Sequence, residues 1–241
     1  MTPRWIEPDW PAPAGVRAAS TLRHGGVSAA PFSGLNLGMH VGDHPDHVAE
    51  NRRRLAAGLD LPNEPIWLTQ VHGTLAIQAD LPAERTADAA FTREAGVVCT
   101  VMTADCLPIL LCSRDGAAVA AVHAGWKGLA GGVVESAVEA MGGGELLAWL
   151  GPAIGPEAFE VGDDVRAAFL QNGAEYAEGF RAASAGKWLA DIYRLARLTL
   201  NCLGVDAIYT GEWCTYRQPD DFFSYRRDRV TGRMASLIWR E

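Results

Sequence analysis

The stretch LPILLCSRDGAAVAAV, residues 107–122, decides the fold class of this chain. Its two apolar halves flank Asp115-Gly116, and Asp-Gly between apolar runs is a strong signal for a β-hairpin. We predict a two-residue turn, which fixes how the two strands pair. Side chains alternate between the faces of a strand, so Cys106 and His123 then project from the same face. The hairpin therefore predicts a Cys and a His close together where two strands end.

A third potential ligand ends another β-type run, in Gln70-Val71-His72-Gly73. Nothing local fixes its approach, because His72 has to come from a different strand. Two imidazoles and a thiolate can bind zinc, and three protein ligands leave one coordination position open for chemistry. The spacing matches no standard zinc signature. His72, Cys106 and His123 are therefore candidate metal ligands and catalytic residues, with ordinary core or surface side chains as the alternative.

Composition bounds the class of protein. The chain has 241 residues, of which 49% are hydrophobic and 21% charged, and its formal net charge is −8. These values are typical of a soluble globular protein and argue against a nucleic-acid or anionic-membrane partner. The first twenty residues contain no apolar signal-like segment, so we expect a cytoplasmic protein. The sequence leaves the oligomeric state open.

The order of elements predicts one domain, 1–241, of the α/β or α+β class, with mixed β-sheets flanked by helices. Predicted strands are 66–71, 97–102, 107–112, 117–122, 146–150, 207–209, 222–225 and 234–239. Predicted helices are 44–59, with Asp43 as its cap, 129–141, 163–170 and 191–203. Three of the five cysteines, Cys99, Cys112 and Cys202, fall in apolar periodic segments, where we expect reduced, buried thiols.

Residues 125–128, Gly-Trp-Lys-Gly, form a predicted strand-to-helix turn. Its backbone amides together with Lys127 are suited to binding an anion. The alternative is a tight turn that needs glycine only for packing.

Two other groups of polar residues attract attention. His40, His44 and His47 lie among Asp and Pro residues at a helix start, which is typical of a solvated surface. Asp105, next to Cys106, should face away from it in a regular strand. We predict that Asp105 either supports the site or belongs to the turn before Pro108.

Seven segments together resemble the YfiH/LACC1 family, formerly called the laccase-domain or polyphenol oxidase family. The segments are SGLNLG (33–38), Asn51-Arg52, QVHG (70–73), TADCLP (103–108), AVHAGWKG (121–128), GPAIGP (151–156) and FSYRRD (223–228). They follow the family's order from about Arg23 to the C-terminus, which leaves residues 1–22 as an uncovered N-terminal extension.

This resemblance implies a single α/β domain with mixed sheets, related to the Cys-His catalytic domain of a bacterial toxin. It implies zinc at His72, Cys106 and His123, and phosphorolysis of adenosine, inosine and methylthioadenosine, with some adenosine deamination. Asn36 and Arg52 lie in motifs that line the family's cleft, so the resemblance implies that they contact substrate or phosphate. Arginine suits bidentate binding of phosphate.

Three other readings stay open at this point. The first is a copper-dependent polyphenol oxidase, which is chemically weak because coupled copper centres need many histidines and this chain has six. The second is a Cys-His hydrolase that uses Cys106 as its nucleophile on a peptidoglycan precursor. The third is a metal-dependent partner protein without catalysis.

Overall fold

The computed structural model describes residues 2–81 and 85–241. It has four layers in the order helix, sheet, sheet, helices, which confirms a single-domain α/β fold with mixed sheets. The strands are β1 (Trp5–Ile6), β2 (Val16–Thr21), β3 (Ala76–Gln78), β4 (Ala89–Thr92), β5 (Cys99–Thr103), β6 (Leu107–Ser113), β7 (Val119–Ala124), β8 (Leu146–Leu150), β9 (Glu160–Gly162), β10 (Phe180–Ala182), β11 (Lys187–Ala190), β12 (Ala207–Thr210) and β13 (Met234–Arg240). The helices are α1 (Pro45–Leu59), α2 (Trp126–Gly131), α3 (Val133–Ala140), α4 (Asp163–Leu170), α5 (Ile192–Cys202) and α6 (Tyr225–Asp228), and Ala174–Gly179 form a 3₁₀ helix.

The hairpin β6–β7 is the centre of a six-stranded sheet with the order β12-β8-β6-β7-β4-β3. Leu107, Ile109 and Leu111 pack against the helices, whereas Leu110 and Cys112 face a second sheet. This alternation is the period of two that a strand imposes. A strand buried on both faces reads as a continuous apolar run, which is why the segment stands out in the sequence.

The predicted hairpin register is confirmed, since Leu107 pairs with Ala124 and Cys112 with Val119. The connection is longer than the predicted two-residue turn, because the last pair, bonded from Ser113 N to Ala118 O, leaves a four-residue loop. Compared with the predicted turn, the loop contains one more residue from each strand. The pairing of the remaining residues and the face of every side chain are therefore unchanged.

The second sheet has four strands in the order β1-β2-β13-β5. One face of this sheet packs against the six-stranded sheet. The other face packs against α1, where Leu55 meets Leu237 and Trp239. The N-terminal extension is part of this sheet, because β2 pairs with β13 along its length. The three-stranded sheet β10-β11-β9 packs beside α4.

Several predicted elements were wrong. Residues 66–71 form isolated bridges instead of a strand, because the side chain of Gln70 takes the place of a main-chain partner. Residues 222–225 are not a strand, because Ser224 caps α6. The helix predicted at 129–141 is broken at Gly132, whose φ of 105° is left-handed.

The predicted cap of α1 was also wrong. His44 is the N-cap, and its ring accepts a hydrogen bond from Asp46 N. Asp43 is bonded instead to Ser28 and Asn36. All five cysteines are free thiols, but Cys202 is exposed and not buried as expected. Across the described ranges, no helix has the length and apolar character needed to span a bilayer.

Candidate metal centre and active site

The three predicted ligands lie together at one end of the six-stranded sheet. Candidate ligand atoms of His72, Cys106 and His123 all lie within 4.8 Å of one another. Cys106 Sγ is 3.8 Å from His72 Nε2, and the two imidazole rings meet edge to face. His72 is exposed, Cys106 half-buried and His123 buried, so the group opens to solvent on the His72 side. Within residues 2–81 and 85–241, this is the one His/Cys/Asp/Glu group arranged to hold a metal ion.

His72 reaches the group through a tight turn. Its backbone has φ of 59°, which is uncommon for a residue other than glycine and indicates a conformation that its surroundings impose. Just before it, the Gln70 side chain exchanges hydrogen bonds of 2.8 and 2.7 Å with the main chain of Met102 on β5. The turn is thereby fixed to the second sheet.

Asp88, which the sequence reasoning missed, holds both histidines. Its side chain is fully buried and accepts hydrogen bonds from the backbone N–H groups of Val71, His72 and Gly73 at 3.2, 3.0 and 2.7 Å. The same carboxylate is 2.7 Å from His123 Nδ1. With Nδ1 bound to Asp88, Nε2 of His123 is the nitrogen that remains for Cys106 or a metal ion. A carboxylate that orients a ligating imidazole is a common feature of metal sites.

These contacts lower the pKa of Asp88. Burial raises the pKa of this carboxyl, but the hydrogen bonds from His123 and from the 71–73 backbone outweigh burial and lower the pKa below its ordinary value. The one sequence signal that could have drawn attention to Asp88 is an acidic residue immediately before the apolar strand β4.

Cys106 and His123 form a charged pair. Burial raises the pKa of the Cys106 thiol, but the charges and hydrogen bonds of His123 and His72 outweigh it and lower the pKa to about 6. Burial lowers the pKa of His123, but the Cys106 thiolate and Asp88 outweigh it and raise the pKa to about 9. The sulfur is therefore a thiolate at neutral pH, the form that binds metals and attacks electrophiles.

Gly125 lies against two of the three ligands. A Cβ atom at this position would be 2.9 Å from His72 Cδ2 and 3.1 Å from Cys106 Sγ. Its φ of −63° is open to any residue, so the need for glycine comes from space and not from backbone conformation. This glycine begins the 125–128 turn that the sequence analysis singled out.

A cavity of about 170 Å³ opens beside Cys106. Its volume is below the roughly 300–1,000 Å³ of typical sites for drug-sized ligands, so it suits one ring system. Its lining residues are Ala104, Asp105, Cys106, Trp126, Ile154, Phe159, Ile192, Tyr225 and Arg226. The walls are mainly apolar and aromatic, with a thiol at one edge.

Asp105 has a structural part beside this cavity. It has φ of 92°, and its carboxylate accepts hydrogen bonds of 2.6 Å from Thr215 Oγ1 and from Arg226 N. It thus ties α6, which carries two of the cavity residues, to the strand end that carries Cys106. The expectation that Asp105 supports the site agrees with these contacts.

Asn36 and Arg52, which were expected to contact substrate or phosphate, already use most of their polar atoms within the protein. Asn36 is fully buried, and its amide is bonded to Gly38, Asp43 and Arg233 N, so no polar atom is free for a ligand. Arg52 donates from both Nε and Nη2 to Leu37 O, so the edge expected to bind phosphate in a bidentate manner is occupied.

Lys127 is exposed on α2, and its ammonium lies 5.7 Å from the centre of the Trp126 ring. Of the surface histidines, His40 and His44 are exposed and His47 is half-buried. The ring of His44 serves as the α1 cap.

Comparison with known proteins places the chain in a family. A family model described as multi-copper polyphenol oxidoreductase laccase matches residues 17–241. A Pseudomonas aeruginosa relative named purine nucleoside phosphorylase is 55% identical, covering 98% of each chain. The Escherichia coli relative named purine nucleoside phosphorylase YfiH is 53% identical over 97% of this chain and 98% of its own length. This chain belongs to the YfiH family. The family expected from the seven motifs is thereby confirmed.

Solved structures agree with this assignment to the YfiH family. A Neisseria meningitidis protein of family DUF152 has a TM-score of 0.95 and 49% identity, covering 98% of this chain and 99% of its own. YlmD from Geobacillus stearothermophilus has a TM-score of 0.90 and 36% identity, covering 98% and 96%. The fold is therefore shared over nearly the whole chain.

Proposed function

We propose that this protein is a zinc-dependent purine nucleoside phosphorylase that cleaves adenosine, inosine and methylthioadenosine. The observation that carries the proposal is the His72–Cys106–His123 group beside an aromatic cavity, in a chain whose relatives at 53–55% identity are named purine nucleoside phosphorylases. The reaction breaks the bond between purine N9 and ribose C1′ and forms a bond from phosphate oxygen to C1′. The electron pair of the broken bond leaves with the base, which takes up a proton.

The three side chains fit a zinc ion. Two imidazoles and a thiolate are the donor types that zinc prefers, and tetrahedral coordination places sulfur and nitrogen ligands about 3.6 Å apart. The observed distance from Cys106 Sγ to His72 Nε2 is 3.8 Å. When bound with an open position, zinc would supply a Lewis acid to the substrate. Asp88 would hold a proton on Nδ1 of His123, so that Nε2 is the nitrogen that gives up its proton when the metal binds.

The cavity fits the base. Trp126, Phe159 and Tyr225 supply ring faces on which a purine can stack, and Ile154 and Ile192 complete an apolar wall. A volume of about 170 Å³ accepts the base and leaves the ribose outside, toward Cys106. Of the two cations predicted to bind phosphate, Lys127 is exposed on α2, and Arg52 keeps Nη1 for the phosphate co-substrate.

Copper oxidase chemistry finds less support. The family description names several coppers, but the described residues contain one three-ligand group, and the whole chain has six histidines. One specific observation does favour a second candidate, a Cys-His hydrolase. Cys106 has its pKa lowered to about 6 and lies 3.8 Å from an imidazole nitrogen, as a nucleophilic cysteine requires.

Product analysis of purified protein tests the proposal. Adenosine, inosine and methylthioadenosine are each incubated with and without inorganic phosphate, and the products are separated by chromatography. We expect free base and a ribose 1-phosphate only when phosphate is present. Cys106→Ala should abolish turnover, and Cys202→Ala, which removes an exposed thiol on α5, should leave it unchanged.

Other products would identify other reactions. Equal release of base without phosphate indicates hydrolysis of the nucleoside, and conversion of adenosine to inosine indicates deamination. Zinc content should be about one per chain in wild type and strongly reduced in Cys106→Ala. Full zinc in that variant contradicts the assigned ligands, and a trapped covalent adduct on Cys106 favours the hydrolase.

A further inference from the structure

Two arginine side chains, Arg52 and Arg233, meet the segment 36–40 near the His72–Cys106–His123 group. Arg52 comes from α1 and donates from Nε and Nη2 to Leu37 O at 3.0 and 2.8 Å. Its guanidinium stacks on the Trp67 ring at 3.8 Å and approaches Met102 Sδ at 4.0 Å. Met102 is the residue whose main chain binds Gln70, two residues before His72. Arg52 is therefore held rigidly on the side from which His72 enters the site.

Arg233 reaches the same segment from the start of β13. Its backbone N–H donates to Asn36 Oδ1 at 2.9 Å, and its carbonyl accepts from Leu37 N at 3.1 Å. Its side chain lies against Gly38, where a Cβ atom would be 2.8 Å from Arg233 Cγ. Glycine at position 38 thus leaves the room that the arginine side chain occupies.

The guanidinium of Arg233 keeps one edge free. Nη1 donates to the carbonyls of Thr231 and Gly232 at 3.1 and 3.0 Å, whereas Nε and Nη2 have no hydrogen-bond partner among the residues the structure describes. Two parallel N–H groups on one edge are the geometry with which arginine binds a carboxylate or a phosphate. In Arg52 the equivalent edge is already bonded to Leu37 O.

The charges of Arg52 and Arg233 are affected by burial and by groups close to the candidate metal site. Burial lowers the pKa of Arg233, while Cys106, Asp105 and Tyr225 act in the opposite direction, which places its charge within reach of the thiolate. Burial lowers the pKa of Arg52 to about 10.

Within the described chain neither arginine has a carboxylate at ion-pair distance. By contrast, the neighbouring Arg53 pairs with Glu50 at 2.8 Å. Partly desolvated cations without a counter-charge are costly, and a bound anion removes that cost. An acidic protein of net charge −8 also needs such a local concentration of positive groups to hold an anion.

We propose that Arg233, supported by Arg52, forms the subsite for the phosphate co-substrate, with the free Nε–Nη2 edge of Arg233 as its bidentate contact. This subsite deepens the proposed phosphorolysis and rests on it for its role in turnover. It is built from segment 36–40 and from Arg233, just before β13, and not from the 125–128 turn that carries Lys127. The ligand is the free dianion or monoanion of orthophosphate, and the phosphate group of a nucleotide is the alternative source of the same chemistry.

Kinetics and direct binding test the subsite together. The variants are Arg233→Gln, Arg233→Lys, Arg52→Gln and, as a matched control on the same helix as Arg52, the exposed Arg53→Gln. We expect Arg233→Gln to raise KM for phosphate at least tenfold and to leave KM for inosine within about twofold, because the variant loses a charge-assisted, bidentate contact to phosphate alone. Arg233→Lys keeps the charge without the fork and should fall between wild type and Arg233→Gln. Arg53→Gln should match wild type.

Titration calorimetry with orthophosphate alone separates the subsite from the reaction. The subsite is supported if wild type and Arg53→Gln bind orthophosphate and Arg233→Gln does not. If these proteins bind phosphate in that pattern but cleave no nucleoside, the proposed function fails and the subsite stands. Phosphate-dependent cleavage with an unchanged phosphate KM in Arg233→Gln overturns the subsite and leaves the function intact. A raised phosphate KM in Lys127→Gln with none in Arg233→Gln also overturns it. Binding of AMP without binding of orthophosphate overturns the assignment to inorganic phosphate.

Discussion

Replacement of Asp88 by Asn should weaken metal binding by His72, Cys106 and His123, although Asp88 is not among the candidate ligands. The carboxylate accepts four hydrogen bonds, three from the 71–73 backbone and one from His123. One oxygen serves His72 N and His123 Nδ1, and the other serves Val71 N and Gly73 N. An amide has one oxygen and one NH₂, so in either orientation two of the four N–H groups face a donor. Alternatively, His123 moves its proton to Nε2 and loses its ability to bind metal.

The magnitude follows from that count. A fully buried unsatisfied donor costs about 1–3 kcal/mol, and the 71–73 N–H groups are only partly buried, so we expect Asp88→Asn to lower the free energy of unfolding by about 1–3 kcal/mol in total. Loss of a carboxylate that orients a metal-bound histidine typically weakens metal binding by about 10–100-fold. The loss should be larger here, because the same carboxylate also positions the turn that carries His72.

The assay is competition for zinc against a chromophoric chelator, combined with urea unfolding of the same preparations. The matched control is Asp80→Asn, since Asp80 also accepts hydrogen bonds from side chains, Thr92 and Gln78, but has no bond to either histidine. We expect Asp80→Asn to keep the zinc affinity of wild type. Wild-type zinc affinity in a folded Asp88→Asn protein would refute the reasoning.

Three further predictions follow from the same site. Gly125→Ala should fold normally, because φ is ordinary there, but lose at least tenfold in zinc affinity as the new methyl group displaces His72 and Cys106; unchanged affinity in the chelator assay would count against the crowded geometry. Alkylation of Cys106 by iodoacetamide should be slow with zinc bound, and after chelation its rate should rise with pH around a pKa of about 6; a midpoint near 8.5 would show that the histidines do not stabilise the thiolate. The lowered pKa of Asp88 adds stability that is present above an unfolded-state pKa of about 3.9 and is lost as pH falls through the lower folded value, so acid unfolding of wild type should be steeper below pH 4 than that of Asp88→Asn; identical acid limbs would show that Asp88 does not contribute.

Sequence reasoning located the hairpin and brought two of the three candidate ligands together for a local reason. Asp115-Gly116 between two apolar runs fixes the pairing of β6 with β7, and alternation with period two then decides that Cys106 and His123 share a face. Cys106 and His123 lie on the same face whatever the length of the turn, provided that the turn takes the same number of residues from each strand. That is why the register was right although the loop has four residues.

What the sequence by itself determined is thus the class of fold, the hairpin register, about half of the strands, and the family with its three candidate ligands. The tertiary structure alone decided how His72 approaches, which carboxylate orients both histidines and which arginine keeps a free edge. Asp88 acts on residues 15–35 positions away, and Arg233 meets Asn36 across 197 positions. Such side-chain to backbone bonds leave no periodic pattern in the chain, because they depend on which strand ends the fold brings together and not on the spacing of residues along one strand.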